Sequence, residues 1–392
     1  MRAMEFLLCL LLVAMLVPVG VLLAQVLLAL AGRGEGEIAV GRRPAVTILM
    51  PAHDEASVIV DTVRSIVPQL EAQDRLLVVA DNCSDDTAAL AAREGATVIE
   101  RRDEERRGKS YAVEFGLRHL VQAPPEVLIV VDADCRVLDG AIERLARACS
   151  ALGRPVQSLY LMLAPKDARL TVQVAAFAWI VRNWVRPLGM WRVGLPCQLM
   201  GCGMAFPWNT VAAGRMPHAE IAEDYKLGID LALGGSPPLF CPEAKVTSPF
   251  PTARRSQDTQ RTRWEHGHLQ LIIREVPRLL VRGAAGRSAA LLALALDLLV
   301  PPLALLAALL VATAVLSLAL ALSTGLYWPI AMAAVTLGLF AAAIALAWYG
   351  WGRNTLSAAS LLSIPWYVLQ KIPLYLRFVT KRQKSWVKTR RD

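Results

Sequence analysis

Two carboxylates, Asp132 and Asp134, follow directly on the apolar run at residues 127–131. Length and β-branched content make that run a fully buried strand. The carboxyl end of such a strand is where open α/β sheets bind ligands. If the extended conformation persists, side chains at i and i+2 share one side of the backbone. Such a pair can hold a hard divalent cation, and the cation can neutralise a diphosphate. A D-x-D alone is more often a solvated loop, so the weight falls on the elements around it.

Those elements alternate between strand and helix, the pattern of a mostly parallel sheet covered by helices on both faces. Residues 46–50 form a strand closed by Pro51-Ala52-His53-Asp54-Glu55, and a helix follows to about residue 70. Residues 75–80 form a second strand ending in Asp81-Asn82-Cys83-Ser84-Asp85-Asp86, good turn and N-cap material for a helix at 87–94. A third strand covers 96–100. Arg107-Gly108-Lys109-Ser110 opens a helix to residue 120, and the fourth strand delivers Asp132 and Asp134. Taken singly, Glu55 reads as a helix N-terminal acid, Asp81 as a turn residue and Lys109 as a solvated first-turn lysine. Their recurrence at successive strand ends argues for one site.

This ordered set resembles the family 2 inverting glycosyltransferases, with their nucleotide-binding GT-A fold. The resemblance implies that Pro51, His53 and Glu55 frame the nucleotide base, that Asp81 contacts uracil, and that Lys109 lies by the base and phosphates. It places Asp132 beside the nucleotide and the metal, with Asp134 as the direct ligand of Mg²⁺ or Mn²⁺. His53 and Asp54 replace the commoner Tyr-Asn, which leaves stacking and hydrogen bonding open.

The second half carries further matches. Gly201-Cys202-Gly203-Met204-Ala205-Phe206 is similar to the family's glycine-rich acceptor loop, where glycine allows close backbone approach. Glu223-Asp224 matches its Glu-Asp motif, whose aspartate is the catalytic base. On a helix Asp224 shares a face with Leu227 and Leu231, and partial desolvation there raises a carboxyl pKa as a base requires. Gln260-Arg261-Thr262-Arg263-Trp264 fits the Q(Q/R)xRW signature of cellulose, chitin and hyaluronan synthases. Gln260, Arg263 and Trp264 fall on one helix face. Trp264 offers an apolar plane to the acceptor, and Arg263 offsets diphosphate charge.

Composition adds the membrane. The chain has 392 residues, is 55% hydrophobic and has a mean hydropathy of +0.43, too apolar for an ordinary soluble enzyme. Residues 6–31 hold no charge, and at about 1.5 Å per residue they can cross about 30 Å of hydrocarbon. Residues 289–322, interrupted by Asp297 and Pro301-Pro302, and residues 326–348 form two later apolar runs. A signal peptide is the alternative for the first run, but its apolar part is too long for one. Arg33, Arg42 and Arg43 follow the first run, Arg274, Arg278, Arg282 and Arg287 precede the second, and Arg353 follows the third. By the positive-inside rule the region between is cytoplasmic. Residues 356–380, broken by Pro365, Lys371, Pro373 and Arg377, suit an interfacial amphipathic segment with a basic tail near anionic lipid. That accounts for much of the net charge of +9 without nucleic acid. Seven scattered cysteines without C-x-x-C pairing exclude a disulfide framework or zinc site of familiar spacing.

The expected division is an anchor at 1–32, a cytoplasmic GT-A domain at 33–285, two transmembrane helices at 286–350, and an interfacial segment with a basic tail at 351–392. The expected protein is an integral-membrane enzyme of a bacterial inner or plasma membrane. It moves a hexosyl or N-acetylhexosaminyl group from a UDP-sugar to a lipid-linked or membrane-proximal glycan, with a partner protein or oligomer for export. A processive polysaccharide synthase and a non-catalytic membrane scaffold are the alternatives.

Overall fold

In the computed structural model, residues 2–31, 42–165, 167–212, 222–250 and 254–380 are described. Residues 32–41, with Arg33, and the basic tail from Lys381 onward lie outside them. Helix α1 (Arg2–Ala31) precedes strand β1 (Val46–Ala52), helix α2 (Ile59–Ile66), β2 (Arg75–Asp81), α3 (Thr87–Arg93), β3 (Thr97–Arg101), α4 (Lys109–Leu120) and β4 (Val127–Val130). The short β5 (Arg136–Val137), α5 (Ala141–Leu152), β6 (Val156–Leu163), α6 (Leu170–Ile180), α7 (Arg186–Arg192), β7 (Met204–Pro207) and α8 (Trp208–Val211) follow. Helix α9 (Glu223–Leu233) then leads to β8 (Leu239–Pro249) and the long α10 (Arg254–Ala285).

The strands form one eight-stranded sheet in the order β3-β2-β1-β4-β7-β6-β8-β5. Its first four strands are parallel, as their apolar runs predict, whereas β7 pairs antiparallel with both β4 and β6. The sheet is therefore mixed α/β. Side chains alternate along each strand, so Ile48 and Met50 pack with Ile59 and Val63 of α2 and Leu145 of α5. Leu49 and Val79 face the other side, with Val113 and Leu117 of α4 and Leu227 of α9. Each such side chain contributes about 1.5–3 kcal/mol by burial. Chain order runs outward from β1 to β2 on one side and to β4 on the other. This reversal opens a crevice at the carboxyl ends of β1 and β4.

Helices α11 (Ala289–Leu299), α12 (Leu303–Thr324), α13 (Trp328–Ala347), α14 (Ala358–Leu361) and α15 (Ile364–Thr380) complete the described residues. Among the described residues three helices are long and apolar enough to cross a membrane: Phe6–Ala31, Leu303–Thr324 and Trp328–Gly352. The apolar run at 289–322 is thus not one crossing. Pro301 and Pro302 remove two backbone donors and end α11, which at about 1.5 Å per residue is too short to span. Helix α15 leaves Trp366 and Leu369 exposed. It is tied to α10 by the Lys371–Glu265 ion pair and by His266 Nε2, which donates to Leu374 O (3.2 Å).

A polar knot joins the first apolar helix to the sheet domain. Arg186 of α7 donates from Nη2 to Asp297 Oδ1 (2.8 Å) and from Nε to Gln25 Oε1 (3.1 Å). Gln25 Nε2 donates to the same Asp297 oxygen (2.7 Å), and all three residues are buried. Gly189 lets α7 come close to α1, because a Cβ there would lie 2.1 Å from Gln25 O. Asp297→Ala would leave Arg186 buried without its counter-charge, a loss of about 3–5 kcal/mol. Thermal unfolding in detergent should register this as a clear drop in melting temperature, and an unchanged melt would show that the knot is not what holds α1 to α7.

Candidate active site

The turn after β1 is held from below by the end of β2. His53 Nδ1 donates to Asp81 O (2.6 Å), and since a carbonyl only accepts, that nitrogen carries the proton. Asp54, with φ of 52°, accepts at Oδ1 from Ser84 N (2.7 Å) and Ser84 Oγ (3.1 Å). The Glu55 carbonyl accepts from Val58 N and Ile59 N (3.0 and 2.9 Å), opening α2. Pro51 itself is still within β1, opposite Val79.

Asp81 is buried, and its Oδ1 accepts from Arg101 Nη1 (2.6 Å) and Asn82 Nδ2 (3.0 Å). Burial pushes its carboxyl above the ordinary value, against the pull of Arg101 and His53. Arg101 is not among the residues that the sequence singles out. It reaches Asp81 because the parallel register pairs the last residues of β2 and β3, and register is invisible until the strands are paired.

The D-x-D departs from its expected geometry. The chain leaves the sheet after Val130, and Cys135 N donates to Asp132 O (3.2 Å), closing a turn. The two carboxylates therefore do not alternate as in an extended strand. Asp132 forms an ion pair with Lys109, while Asp134 sits further round the turn, where Oδ1 accepts from Cys135 Sγ (3.5 Å). Lys109 Nζ also donates to Gly201 O (2.5 Å). Burial would depress this ammonium, but Asp132 and Glu223 outweigh it and hold the pKa above its usual value.

Donor chemistry can be tested on the same turn. Asp132, Cys135 and Cys202 each bring one ligand atom within 4.8 Å of the others. Burial pushes the Cys135 thiol well up, so it stays protonated and a poor ligand. The carboxylate oxygens of Asp132 and Asp134 are the hard ligands that the turn offers, which fits a cation such as Mg²⁺ or Mn²⁺.

Glu223 and Asp224 begin α9, near enough to Lys109 for its charge to act on both. Burial, then the neighbouring Asp224, push Glu223 up to about 7 against the pull of Lys109. Asp224 is likewise raised by burial, with Lys109 and the Tyr225 N–H opposing. Tyr225 N donates to Asp224 Oδ1 (2.9 Å). Gly201, at φ of 88°, is the meeting point: a Cβ there would lie 3.0 Å from Asp224 Oδ2 and 3.8 Å from Lys109 Nζ. Only glycine has both the dihedral and the room.

The rest of that glycine-rich stretch is only partly loop. Met204 to Pro207 are strand β7, and the Cys202 thiol turns inward, where it accepts from Asp132 N (3.3 Å). A Cβ on Gly203 would lie 1.9 Å from Ser158 Oγ, so this glycine serves packing on β6. Gly201 borders Asp224 and Lys109, and the Cys202 thiol lies against Asp132, whereas Gly203 faces β6.

On α10, the side chains of Gln260 and Arg261 lie outside the described residues. Arg263 acts by its charge on Glu223. Trp264 packs on Trp179 of α6, with ring centroids 4.9 Å apart and planes at 45°. Trp179 meets Tyr160 and Phe250 edge-on (5.9 and 6.4 Å). Sequence reading missed Trp179. Its one signal was an aromatic within an apolar helix, which reads equally well as core.

Comparison with known proteins agrees with this architecture. Residues 44–267 match the family described as Glycosyltransferase like family 2. The "Probable glycosyltransferase YdaM" of Bacillus subtilis (strain 168) is 25% identical over 246 residues, covering 59% of this chain and 57% of that protein. The chain thus spans little more than half the length of this curated relative. The structure of the mannosyltransferase PcManGT from Pyrobaculum calidifontis, in complex with GDP-Man and Mn²⁺, is similar with a TM-score of 0.54 and 18% identity. The similarity covers 97% of this chain and 100% of that one, and it is a likeness of fold. The family match takes in more than half of the chain and every strand of the sheet, and on that ground the chain belongs to the family 2-like glycosyltransferases.

Proposed function

We infer that this chain is an inverting membrane glycosyltransferase that uses a nucleotide sugar, UDP-linked, and a divalent cation, in the manner of the polysaccharide synthases whose Q-R-x-R-W signature it carries. The observation that bears most weight is the meeting of Lys109, Asp132 and Asp224 around Gly201, at the carboxyl end of the parallel strands. Pro51, His53, Glu55 and Asp81 frame the base at one end of the crevice, and Lys109 faces the phosphates. Asp224 takes the proton from an acceptor hydroxyl as its oxygen bonds to the anomeric carbon and the bond to the diphosphate breaks. One displacement inverts the anomer through an oxocarbenium-like state. A cation on Asp134, assisted by Asp132, would neutralise charge on the departing diphosphate. The Mn²⁺ bound by the similar mannosyltransferase supports Mn²⁺ or Mg²⁺ here.

We place the catalytic domain at 33–285 in the cytoplasm, between an anchor at 1–32 and crossings at Leu303–Thr324 and Trp328–Gly352, with 351–392 at the interface. Between these helices Leu22, Leu306, Leu310 and Phe340 belong to one packed apolar cluster. That filling favours a lipid-linked or membrane-proximal acceptor over a polymer threaded through one copy. Membranes carrying the chain, incubated with radiolabelled UDP-glucose, UDP-galactose, UDP-N-acetylglucosamine and GDP-mannose, test the reading. Label from a UDP-sugar is expected in the lipid-extractable fraction. Label only in non-extractable polymer would overturn the lipid acceptor, and no incorporation from any donor would overturn the transferase.

A further inference from the structure

Arg182 is a half-buried cation between aromatic rings that the reaction above does not use. It lies in a single π-helical turn, Val181–Val185, between α6 and α7, a feature frequent at functional sites. Its Nε donates to Tyr225 Oη (2.9 Å). Its guanidinium carbon sits 5.5 Å from the Trp179 ring centroid and 5.1 Å from that of Tyr225. A planar cation suits the space between two aromatic faces.

These contacts close a ring that joins α6, α9 and α10. Trp264 of α10 stacks on Trp179, Arg182 links Trp179 to Tyr225 of α9, and Tyr225 meets His268 of α10 with centroids 5.7 Å apart. Trp264 and His268 are i and i+4, one turn apart on the same face. The ring is pinned to β6, since Trp179 Nε1 and Asn183 Nδ2 both donate to Tyr160 O (3.3 and 3.2 Å). Asp224 immediately precedes Tyr225 and binds its N–H. The separation of Asp224 from Trp264 therefore depends on the one charged member of the ring.

We propose that Arg182 is a positioning residue that sets the distance between the base Asp224 and the Trp264 plane, so that an acceptor resting on Trp264 presents its hydroxyl to Asp224. The proposal rests on the transferase reading above. Arg182 acts through Tyr225 and Trp179 and need not touch either substrate. Burial would depress its pKa, but Tyr225, Asp224 and Glu265 outweigh that and hold it raised, so the clamp stays charged at every working pH.

The test uses membranes carrying the full chain, their endogenous acceptor, and whichever labelled nucleotide sugar the wild type incorporates best. Arg182→Met keeps the stem and removes the cation, whereas Arg182→Lys keeps the cation. A misplacement of about 1 Å can cost on the order of a hundredfold in rate. Arg182→Met is therefore expected to lower kcat for transfer at least about tenfold, with UDP affinity by calorimetry within about twofold of wild type. Arg182→Lys should recover a clear part of that loss. Tyr225→Phe, which removes only the hydroxyl that accepts from Arg182, should fall in the same direction and serves if Arg182→Met does not fold. Wild-type transfer by Arg182→Met, or by Tyr225→Phe where Arg182→Met cannot be made, overturns the proposal. So does a loss of UDP binding in step with transfer, or a lysine variant no better than methionine. If the wild type itself incorporates no label from any donor, what falls is the transferase reading.

Discussion

Asp224→Asn is expected to lower glycosyl transfer by roughly 10² to 10⁴, the range of a lost general base, with nucleotide binding close to wild type. The amide keeps the shape, and its oxygen can still accept from Tyr225 N as Oδ1 does now (2.9 Å). It cannot take a proton from the acceptor hydroxyl. Of the nucleotide contacts assigned to His53, Asp81 and Lys109, Lys109 lies near Asp224, and its ion pair with Asp132 is left in place, so affinity should change little. The wild-type pH profile gives a second reading of the same residue. A base works deprotonated, and burial raises the Asp224 carboxyl above its ordinary value. Turnover should accordingly be lost, as pH falls, at a higher pH than a solvent-exposed aspartate would give. Near-normal turnover in Asp224→Asn, measured beside UDP binding on the same membranes, would reassign the base, with Glu223 next to it as the first alternative.

Much of this site was legible because chemistry followed local pattern. The buried parallel strands announced themselves by β-branched apolar runs, and polar residues at their ends marked the crevice before any pairing was known. Asp81, Lys109 and Asp132 could each be placed from one dimension. What could not be read was anything that depends on two elements meeting. Arg101 is a partner of Asp81 through strand register, and Arg182 joins α9 to α6 across more than 40 positions of sequence. The antiparallel β7 was hidden in the glycine-rich stretch, because four residues carry too little periodicity to be told from a loop. The break at Pro301-Pro302 was visible in the sequence, yet the apolar run across it read as one span. Hydropathy sums over a helix end, whereas backbone hydrogen bonding does not.

The turn that replaces the extended D-x-D makes Asp134 the cleaner probe of the cation. Asp132 is engaged with Lys109, so removing it would also release a lysine that faces Glu223 and Gly201, and the two effects could not be separated. Asp134 sits further round the turn, where its Oδ1 accepts from Cys135 Sγ (3.5 Å). Asp134→Ala should thus remove metal binding and leave the Lys109 arrangement standing. Electrophilic stabilisation by a bound cation amounts to several kcal/mol, so turnover should fall by at least about a hundredfold. Calorimetry with UDP, with and without Mn²⁺, isolates the cause: Mn²⁺ should tighten UDP binding to the wild type, and the two affinities should converge in Asp134→Ala. A variant that keeps the full Mn²⁺-linked gain in affinity would move the ion elsewhere. Asp54 and Asp85, which come together with Cys83 after the ends of β1 and β2, would then be the carboxylates to change next.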